Sequence, residues 1–389
     1  MSTFAGTATP PPRGTRPGNR RELIREAAAA LFARHGYANV AISDIAAAVN
    51  VGPSAIYRHY AGKAEVLYDV VDVALEHTLA SLPAAAEADL PGFARILAAN
   101  VLDNRLVGVL WQREARELGE AERARLQKKI REINRWFTAE VTTRRPELSP
   151  ARAELLAMCT LAALTSVSFH RLTLPRPQFD SLLAELALRV LTLDPPADPD
   201  PEPATRRKRV TGRPERLLEA AIPLFARKGY AAVSIDDIGA AVGIAGPSVY
   251  NHFPSKHDIL AEAMKRGHAQ LSADLLAATR QGSDPDDVLR RVTNSYVDLA
   301  LDQPDLIATL ISESVHLNLD SGGRTAQRAY IADWVTLVRA RNPADFPTVA
   351  RIKVQAAQMV ANDIARAPAL RRVPGLRATV REVCWALQQ

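Results

Sequence analysis

Apolar residues near the start of the chain repeat with the period of an α-helix. Residues three, four and seven positions apart are neighbours on a helix surface, and such positions are apolar here. They are Ile24, Ala27, Ala28, Leu31 and Phe32. Gly36 follows the cations Arg34 and His35, an order typical of a helix end, because glycine readily adopts left-handed φ and cations favour the last turn. The pattern predicts a first helix that ends near His35.

The same pattern occurs a second time, beginning near residue 213. The two copies align without a gap, with Tyr37 opposite Tyr230 and Lys63 opposite Lys256. About half of the aligned positions are identical, well above what shared composition gives. The first helix of the second copy is predicted to end near Lys228. The chain therefore carries one structural unit twice.

Each copy continues with two short apolar-patterned segments. We predict helices over 42–49 and 56–59 in the first copy, and over 235–242 and 249–252 in the second. Asn50 and Gly243 lie between them and tolerate positive φ. Two short helices joined by such a turn make a helix-turn-helix. Lys63 and Lys256 then open a longer fourth helix.

Composition divides the chain further. Residues 1–18 are rich in Pro, Gly and Thr and are expected to form a disordered basic arm. The segment DPPADPDPEP over 194–203 cannot be a helix and predicts an extended spacer, followed by a second basic arm. We expect helix-turn-helix domains over 19–68 and 211–261, helical C-terminal domains over 69–193 and 262–389, and a linker over 194–210.

Bulk properties favour an all-α protein and exclude several other classes. Aromatic residues make up 5% of the 389 residues, and no β-rich stretch is present. No uncharged apolar run approaches the roughly 18 residues of a membrane span, so we expect a cytoplasmic protein without a membrane partner. Cys159 and Cys384 are expected to be buried thiols. No nucleophile, phosphate-loop or zinc-protease motif occurs, so neither an enzyme nor a metal or cofactor site is predicted.

The net charge of +6 is concentrated on the repeats. In both copies, counted with their basic arms, Lys and Arg outnumber Asp and Glu, whereas the remainder of the chain is slightly acidic. This distribution is expected of a surface that faces an anionic polymer such as DNA.

These motifs together resemble the DNA-binding domain of the TetR/AcrR family of transcriptional regulators. The family pattern is a helix ending in F-x-x-x-G-(Y/F), then D-I-A-x-x-x-G-(V/I), then Y-x-(H)-F-x-x-K-x-x-L. The first copy matches at Phe32, Gly36, Tyr37, Asp44, Ile45, Ala46, Val51, Tyr57, His59, Lys63 and Leu67. The second matches at Phe225, Gly229, Tyr230, Asp237, Ile238, Gly243, Ile244, Tyr250, His252, Phe253, Lys256 and Leu260. The resemblance implies two consecutive TetR-like subunits, each with a three-helix DNA-binding domain and a C-terminal helical ligand-binding and dimerisation domain.

The resemblance also implies which residues contact double-stranded DNA. Small residues at the start of each recognition helix would let it approach the major groove, and polar residues around it would contact phosphates and bases. In the first copy these are Arg20, Gly52, Pro53, Ser54, Ala55, Tyr57, Arg58, His59 and Lys63. In the second they are Arg213, Ser234, Ala245, Gly246, Pro247, Ser248, Tyr250, Asn251, His252 and Lys256. The tyrosines and histidines could instead be packing residues, and the lysines could be ordinary solvated side chains.

The copies differ at positions that matter for DNA binding. Ser234 is positioned to cap the second helix of copy two, whereas copy one has Ala41 there. Pro223 interrupts the first helix of copy two and is expected to bend it. Arg58 and Asn251 occupy equivalent positions and favour guanine and adenine respectively, if they reach the bases. We therefore expect an imperfectly palindromic operator.

Family members bind a small-molecule effector in the C-terminal domain, and the resemblance implies a ligand-responsive repressor here. Trp111, Trp136, Phe169 and His170 could line such a pocket or belong to the core. Family members also use two identical subunits, so this chain could act as an intramolecular pseudo-dimer or form a homodimer. In an alternative interpretation, the copy with Ala41 serves only as a dimerisation scaffold.

Overall fold

The computed structural model describes residues 19–196, 212–312 and 322–389, without the side chains of 311, 312 and 322–326. The predicted basic arm over 1–18 and residues 197–210 of the predicted linker lie outside the described residues. The chain divides into two compact units, Met1–Leu191 and Thr192–Gln389. Within the described ranges every regular element is helical, which confirms the all-α class and its two-unit form.

The first unit begins with three helices and a long fourth one. Its helices are α1 Arg20–His35, α2 Ile42–Ala48, α3 Pro53–Tyr57, α4 Lys63–Glu87, α5 Leu90–Asp103, α6 Val107–Val109, α7 Glu120–Arg144, α8 Pro150–Thr165 and α9 Arg176–Leu191. We call α1 to α3, with the first turns of α4, the first head, and the remainder the first body. Ile24, Ala28 and Phe32 of α1 are fully buried in the head, as their spacing predicted.

The second unit repeats this order. Its helices are α10 Arg213–Lys228, α11 Ile235–Ala241, α12 Gly246–Val249, α13 Lys256–Gln281, α14 Pro285–Asp302, α15 Pro304–Ser312, α16 Gly322–Arg341, α17 Pro347–Ala365 and α18 Leu376–Ala386. We call α10 to α12, with the first turns of α13, the second head, and the remainder the second body. Helix α10 continues through Pro223 as one element. The predicted ends of the first helices, at His35 and Lys228, are confirmed.

The predicted third helices were placed too late in the sequence. The patterns indicated 56–59 and 249–252, but α3 begins at Pro53 and α12 at Gly246. Proline fits the first turn of α3, because N–H groups in that turn have no partner within the helix. The φ angle of proline is also fixed near the helical value. Arg58, His59, Asn251 and His252 consequently lie in the turns after the recognition helices.

The first body is joined to its head by an irregular segment. After α6, the chain forms a π-helical turn, Leu110–Glu114, and a short 3₁₀ turn, Ala115–Glu117. Leu110, Ala115 and Leu118 are buried in the same apolar cluster as Phe32 and Ile56 of the head. Head and body of the first unit therefore share one core.

The second body is fixed by buried polar pairs. The Trp334 indole N–H donates to Oε1 of Gln388 at 2.6 Å, and the Tyr296 hydroxyl donates to Oδ1 of Asn362 at 3.0 Å. Cys384 is buried there, as Cys159 is in the first body, and the two form no disulfide. These pairs satisfy donors that burial would otherwise leave unpaired.

One segment, Pro150–Phe169, is long and apolar enough to cross a membrane by length and composition, although the sequence pattern suggested no such run. Of its most apolar window, 61% is buried inside the first body. A core helix of a folded domain passes the same test, so this feature is weak evidence for a membrane span.

Candidate nucleic-acid interface

The helix-turn-helix of the first head is held by its turn. Asn50 adopts a φ of 55°, and the Val51 N–H donates to the Ala46 carbonyl at 2.9 Å. Ile45 of α2 and Ile56 of α3 are fully buried against each other's helices in the head core. These contacts leave the start and the end of α3 at the surface.

The second head forms the same turn. Gly243 adopts a φ of 76°, and the Ile244 N–H donates to the Gly239 carbonyl at 2.9 Å. A Cβ atom on Gly239 would lie 2.8 Å from the Ile244 carbonyl oxygen, closer than side chains allow. The first head has Ala46 at this position. Glycine at 239 therefore allows the close approach of the Ile244 carbonyl to α11.

Most predicted contact residues lie at the surface of the heads. Tyr57 and Tyr250 are 58% and 55% exposed, which is unusual for large aromatic side chains. Six further residues are exposed in the first head or at its edge: Gly52, Pro53, Ser54, Arg58, His59 and, in part, Ala55. In the second head the exposed or partly exposed set is Arg213, Ser234, Ala245, Pro247, Ser248, Asn251 and His252. Arg20 is partly exposed at the start of α1.

Gly246 differs from this pattern because it is buried. A Cβ atom here would lie 1.8 Å from Oδ1 of Asp236, so the carboxylate occupies the space that a side chain would need. The sequence suggested that Gly246 is small in order to let DNA approach. Its lack of a side chain leaves room for the Asp236 side chain of the neighbouring helix α11.

The two predicted phosphate lysines are engaged inside their own heads. Nζ of Lys63 donates to the Tyr37 and Val40 carbonyls, each at 2.8 Å, and lies 4.1 Å from the centre of the Tyr37 ring. Nζ of Lys256 donates to the Tyr230 and Val233 carbonyls at 2.8 and 2.7 Å. Burial lowers the pKa of Lys256. Each ammonium group has three N–H donors, and at least two of the three are used inside the head.

Helix caps differ between the heads, as the sequence predicted. The Ser234 hydroxyl accepts the Asp237 N–H at 3.0 Å, and Oδ2 of Asp237 accepts the Ser234 N–H at 2.8 Å. Hydrogen bonds that the carboxylate accepts from the Ser234 N–H, the Ser234 hydroxyl and Lys228 lower the pKa of Asp237 to about 2. In the first head Ala41 offers no side-chain acceptor, but Oδ2 of Asp44 still accepts the Ala41 N–H at 2.8 Å. The first head therefore keeps half of the capping arrangement.

A buried ion pair in the first head was missed by the sequence patterns. Asp69 is 9% exposed, and its carboxylate accepts from the Tyr60 hydroxyl at 2.7 Å and from Arg21 at 3.0 Å, with Arg25 at 3.5 Å. The pair links the start of α1 to α4, 48 residues apart.

The second head has a different arrangement at the equivalent positions. Pro214, Leu218, Phe253 and Glu262 replace the four residues of that network. Glu262 accepts instead from Nε of Arg266 at 2.7 Å, and Arg266 also pairs with Glu215. A position-by-position comparison of the two repeats could have indicated this network, because all four of its residues differ between the copies.

Comparison with known proteins agrees with this geometry. The family model described as bacterial regulatory proteins, tetR family, matches the chain twice, at residues 24–70 and 217–263, which are the two heads. Both heads belong to the TetR family. The chain carries two TetR-type units in tandem.

Individual TetR-type relatives cover smaller parts of the chain. An uncharacterized HTH-type regulator, YerO of Bacillus subtilis, is 30% identical over 103 residues, 26% of this chain and 36% of that protein. The HTH-type repressor KstR2 of Rhodococcus jostii is 38% identical over 65 residues, 17% of this chain and 32% of that protein. The chain thus matches well under two thirds of the length of these curated relatives.

Solved TetR-family structures align with one half of the chain. A regulator from Bordetella parapertussis is 18% identical over 46% of this chain and 95% of its own, with a TM-score of 0.42. The regulator PfmR from Thermus thermophilus is 21% identical over 44% of this chain and 97% of its own, with a TM-score of 0.38.

The first TetR-type head is also bonded to its body. Glu114, at the end of the π turn, is 8% exposed, and its Oε2 accepts the Tyr37 N–H at 3.0 Å. Tyr37 directly follows Gly36, whose φ of 80° ends α1. The α1–α2 loop is therefore held from the body by Glu114 and from α4 by Lys63.

The predicted pocket residues do not come together at one point. Trp111 and Phe169 pack against the shared core of the first unit. Trp136 packs instead beside Phe93, with ring centres 6.1 Å apart. Nδ1 of His170 lies 3.2 Å from Arg105, whose guanidinium donates to the carbonyls of the α8–α9 connection. A role of these residues in effector binding stays a prediction.

Proposed function

We propose that this chain is a cytoplasmic, sequence-specific DNA-binding transcriptional regulator, a ligand-responsive repressor whose two non-identical heads bind an imperfect palindrome. The observation that carries the proposal is the pair of TetR-type heads within one chain, each with an exposed tyrosine at the end of a short recognition helix. An aromatic side chain with a terminal hydroxyl can hydrogen-bond a phosphate and pack against the sugar.

The proposed asymmetry of the operator rests on the starts of the recognition helices. The first presents Gly52, Pro53 and Ser54 at the surface, and the second presents Ala245 and Pro247. N-terminal residues of a recognition helix approach the base edges most closely. Arg58 and Asn251 lie in the turns that follow the recognition helices and differ in charge. In this proposal they lie beside the DNA backbone. Each half-site is therefore recognised by different side chains.

In this proposal the effector binds to the bodies. A single chain supplies both heads that bind the operator. An effector that binds one conformation of the body more tightly shifts the equilibrium toward that conformation. The resulting change in DNA affinity is limited by the ratio of the effector's affinities for the two conformations. In the first unit, the shared core and the Glu114 bond give the body a direct mechanical link to its head.

The experiment compares Tyr57→Ala and Tyr250→Ala in the full chain, by gel shift on operator DNA selected from the region flanking the gene, over a range of salt concentrations. Phe346→Ala is the control, because Phe346 is 75% exposed but lies in the second body. Both tyrosine variants are expected to bind about tenfold more weakly, and the control unchanged. Absence of salt-dependent specific binding by the unaltered chain contradicts the proposal.

An alternative is that the first head is only a dimerisation scaffold. The absence of a side-chain cap at Ala41 favours it. In that case Tyr57→Ala leaves operator affinity intact, and only Tyr250→Ala weakens binding.

A further inference from the structure

Asp236 is a carboxylate at the DNA-facing edge of the second head with no assigned role. It is exposed in the first turn of α11, whereas the adjacent Asp237 is bonded to Ser234 and Lys228. Within the described part of the chain, no hydrogen bond or ion pair of the Asp236 side chain is found. Capping of α11 is thus performed by Ser234 together with Asp237, and it does not use the Asp236 carboxylate.

The carboxylate lies against the neighbouring recognition helix. Oδ1 of Asp236 lies where a Cβ atom of Gly246 would be, 1.8 Å from that position, and Gly246 is the first residue of α12. The acid therefore lies over the N-terminal end of the recognition helix, the end that approaches the bases in helix-turn-helix proteins. Glycine at 246 is the condition for this placement.

A carboxylate at this edge opposes general DNA binding. It repels the phosphates that the basic residues of the head attract. It accepts hydrogen bonds and donates none when ionised. In the major groove the donors are the amino groups of cytosine and adenine, and a carboxylate pairs with the cytosine N4 amino group. Its repulsion is offset only where such a donor is present.

We propose that Asp236 is a specificity-determining residue of the second head that accepts a hydrogen bond from a cytosine in its half-site. This inference rests on the proposed DNA-binding function. The first head has Ser43 at the equivalent position, and a hydroxyl both donates and accepts, so it discriminates less between bases. The cytosine requirement belongs to one half-site and not to the other.

The test selects duplexes from a random library with the unaltered full chain, then measures affinity for each single-base change in the selected site. Asp236→Ser gives the second head the residue of the first. Glu219→Ala is the control, because it removes an exposed carboxylate from α10 of the same head. Melting temperatures of all variants are recorded.

The unaltered chain is expected to prefer a C·G pair at one position of the second half-site by about tenfold or more. Asp236→Ser is expected to reduce this preference to within about twofold, and to bind unrelated duplex more tightly, because one repulsive charge is removed. The control retains the preference.

Two results overturn the inference. One is an unchanged preference at every position in Asp236→Ser. The other is an equal loss of specific and unrelated binding together with a lower melting temperature, which indicates a purely structural role. If the unaltered chain selects no sequence at all, the proposed function itself fails, and this inference fails with it.

Discussion

At the scale of single residues, Lys63 and Lys256 occupy equivalent positions in the two repeats and donate hydrogen bonds within their own heads. Their spacing in the sequence does not reveal these bonds. A lysine at a helix start fits both a phosphate contact and an internal bond. The outcome depends on where the carbonyls of residues 37 and 40 point, and the left-handed turn at Gly36 sets that direction. The sequence patterns correctly place Lys63 and Lys256 at the starts of their helices. They do not predict the directions of carbonyl groups that lie more than 20 residues away in the sequence.

Lys63→Met should therefore affect stability more than phosphate contact. Loss of the two bonds leaves partly buried carbonyls unpaired and should lower the free energy of unfolding of the first unit by about 1–3 kcal/mol. Denaturant unfolding measures this change. Arg58→Ala is the comparison variant, since Arg58 is exposed, and should reduce the slope of log affinity against log salt by about one. A stable Lys63→Met protein with that reduced slope contradicts the internal role.

The surface residues were more predictable than the buried network. Exposure of Tyr57 and Tyr250 follows from motifs that place them at the end of the recognition helix. Asp69 and Arg21 lie far apart in sequence, and each alone is an ordinary charged residue of a helix. The packing of α1 against α4 brings them together. Once packing has buried the Asp69 carboxylate, it requires a charged or hydrogen-bonding partner.

At the scale of elements, helix ends with a strong chemical marker were predicted well. Gly36 and Gly229 end their helices with φ near 80°, and Lys63 and Lys256 begin theirs. The recognition helices begin before their apolar pattern does, because their first residues are Gly, Pro and Ser, which usually indicate turns. The π turn at Leu110–Glu114 has no sequence signature of its own.

The π turn suggests a direct test of the link between body and head. Glu114→Ala removes the acceptor of the Tyr37 N–H, and we expect amide exchange over residues 36–40 to accelerate by about tenfold or more. Hydrogen exchange with mass spectrometry measures it without DNA. Glu117→Ala is the control, because Glu117 is exposed in the same segment. Equal exchange in both variants would show that the bond does not restrain the loop.

At the scale of the whole molecule, duplication places two different heads on one chain. The repeat was evident from the sequence because identical residues recur in phase, whereas the bodies have diverged beyond that signal. Each unit has its own core, with Phe32 and Phe225 at equivalent buried positions. In the proposed function the two heads of one chain bind the two half-sites, so a second copy is not required.

The chain is therefore expected to be monomeric on its operator. Light scattering should give a mass near the 42.3 kDa of a single chain, and titration should reach saturation at one chain per duplex. Family members normally gain the second head by dimerising, and here it is supplied by covalent linkage at no cost in association entropy. A mass of about twice that value refutes the monomeric assembly.

The Asp69 ion pair also has a genetic consequence. Unequal crossing-over between the two coding repeats, at a point between α1 and α4, yields one product with an additional hybrid head. In that hybrid, Pro214 and Leu218 of α10 face Asp69, and the buried carboxylate has lost both arginines. Removing the partners of a buried charge costs about 3–5 kcal/mol, a large share of a small domain's stability. We therefore expect the hybrid head of a three-unit product to be less stable than either parent head.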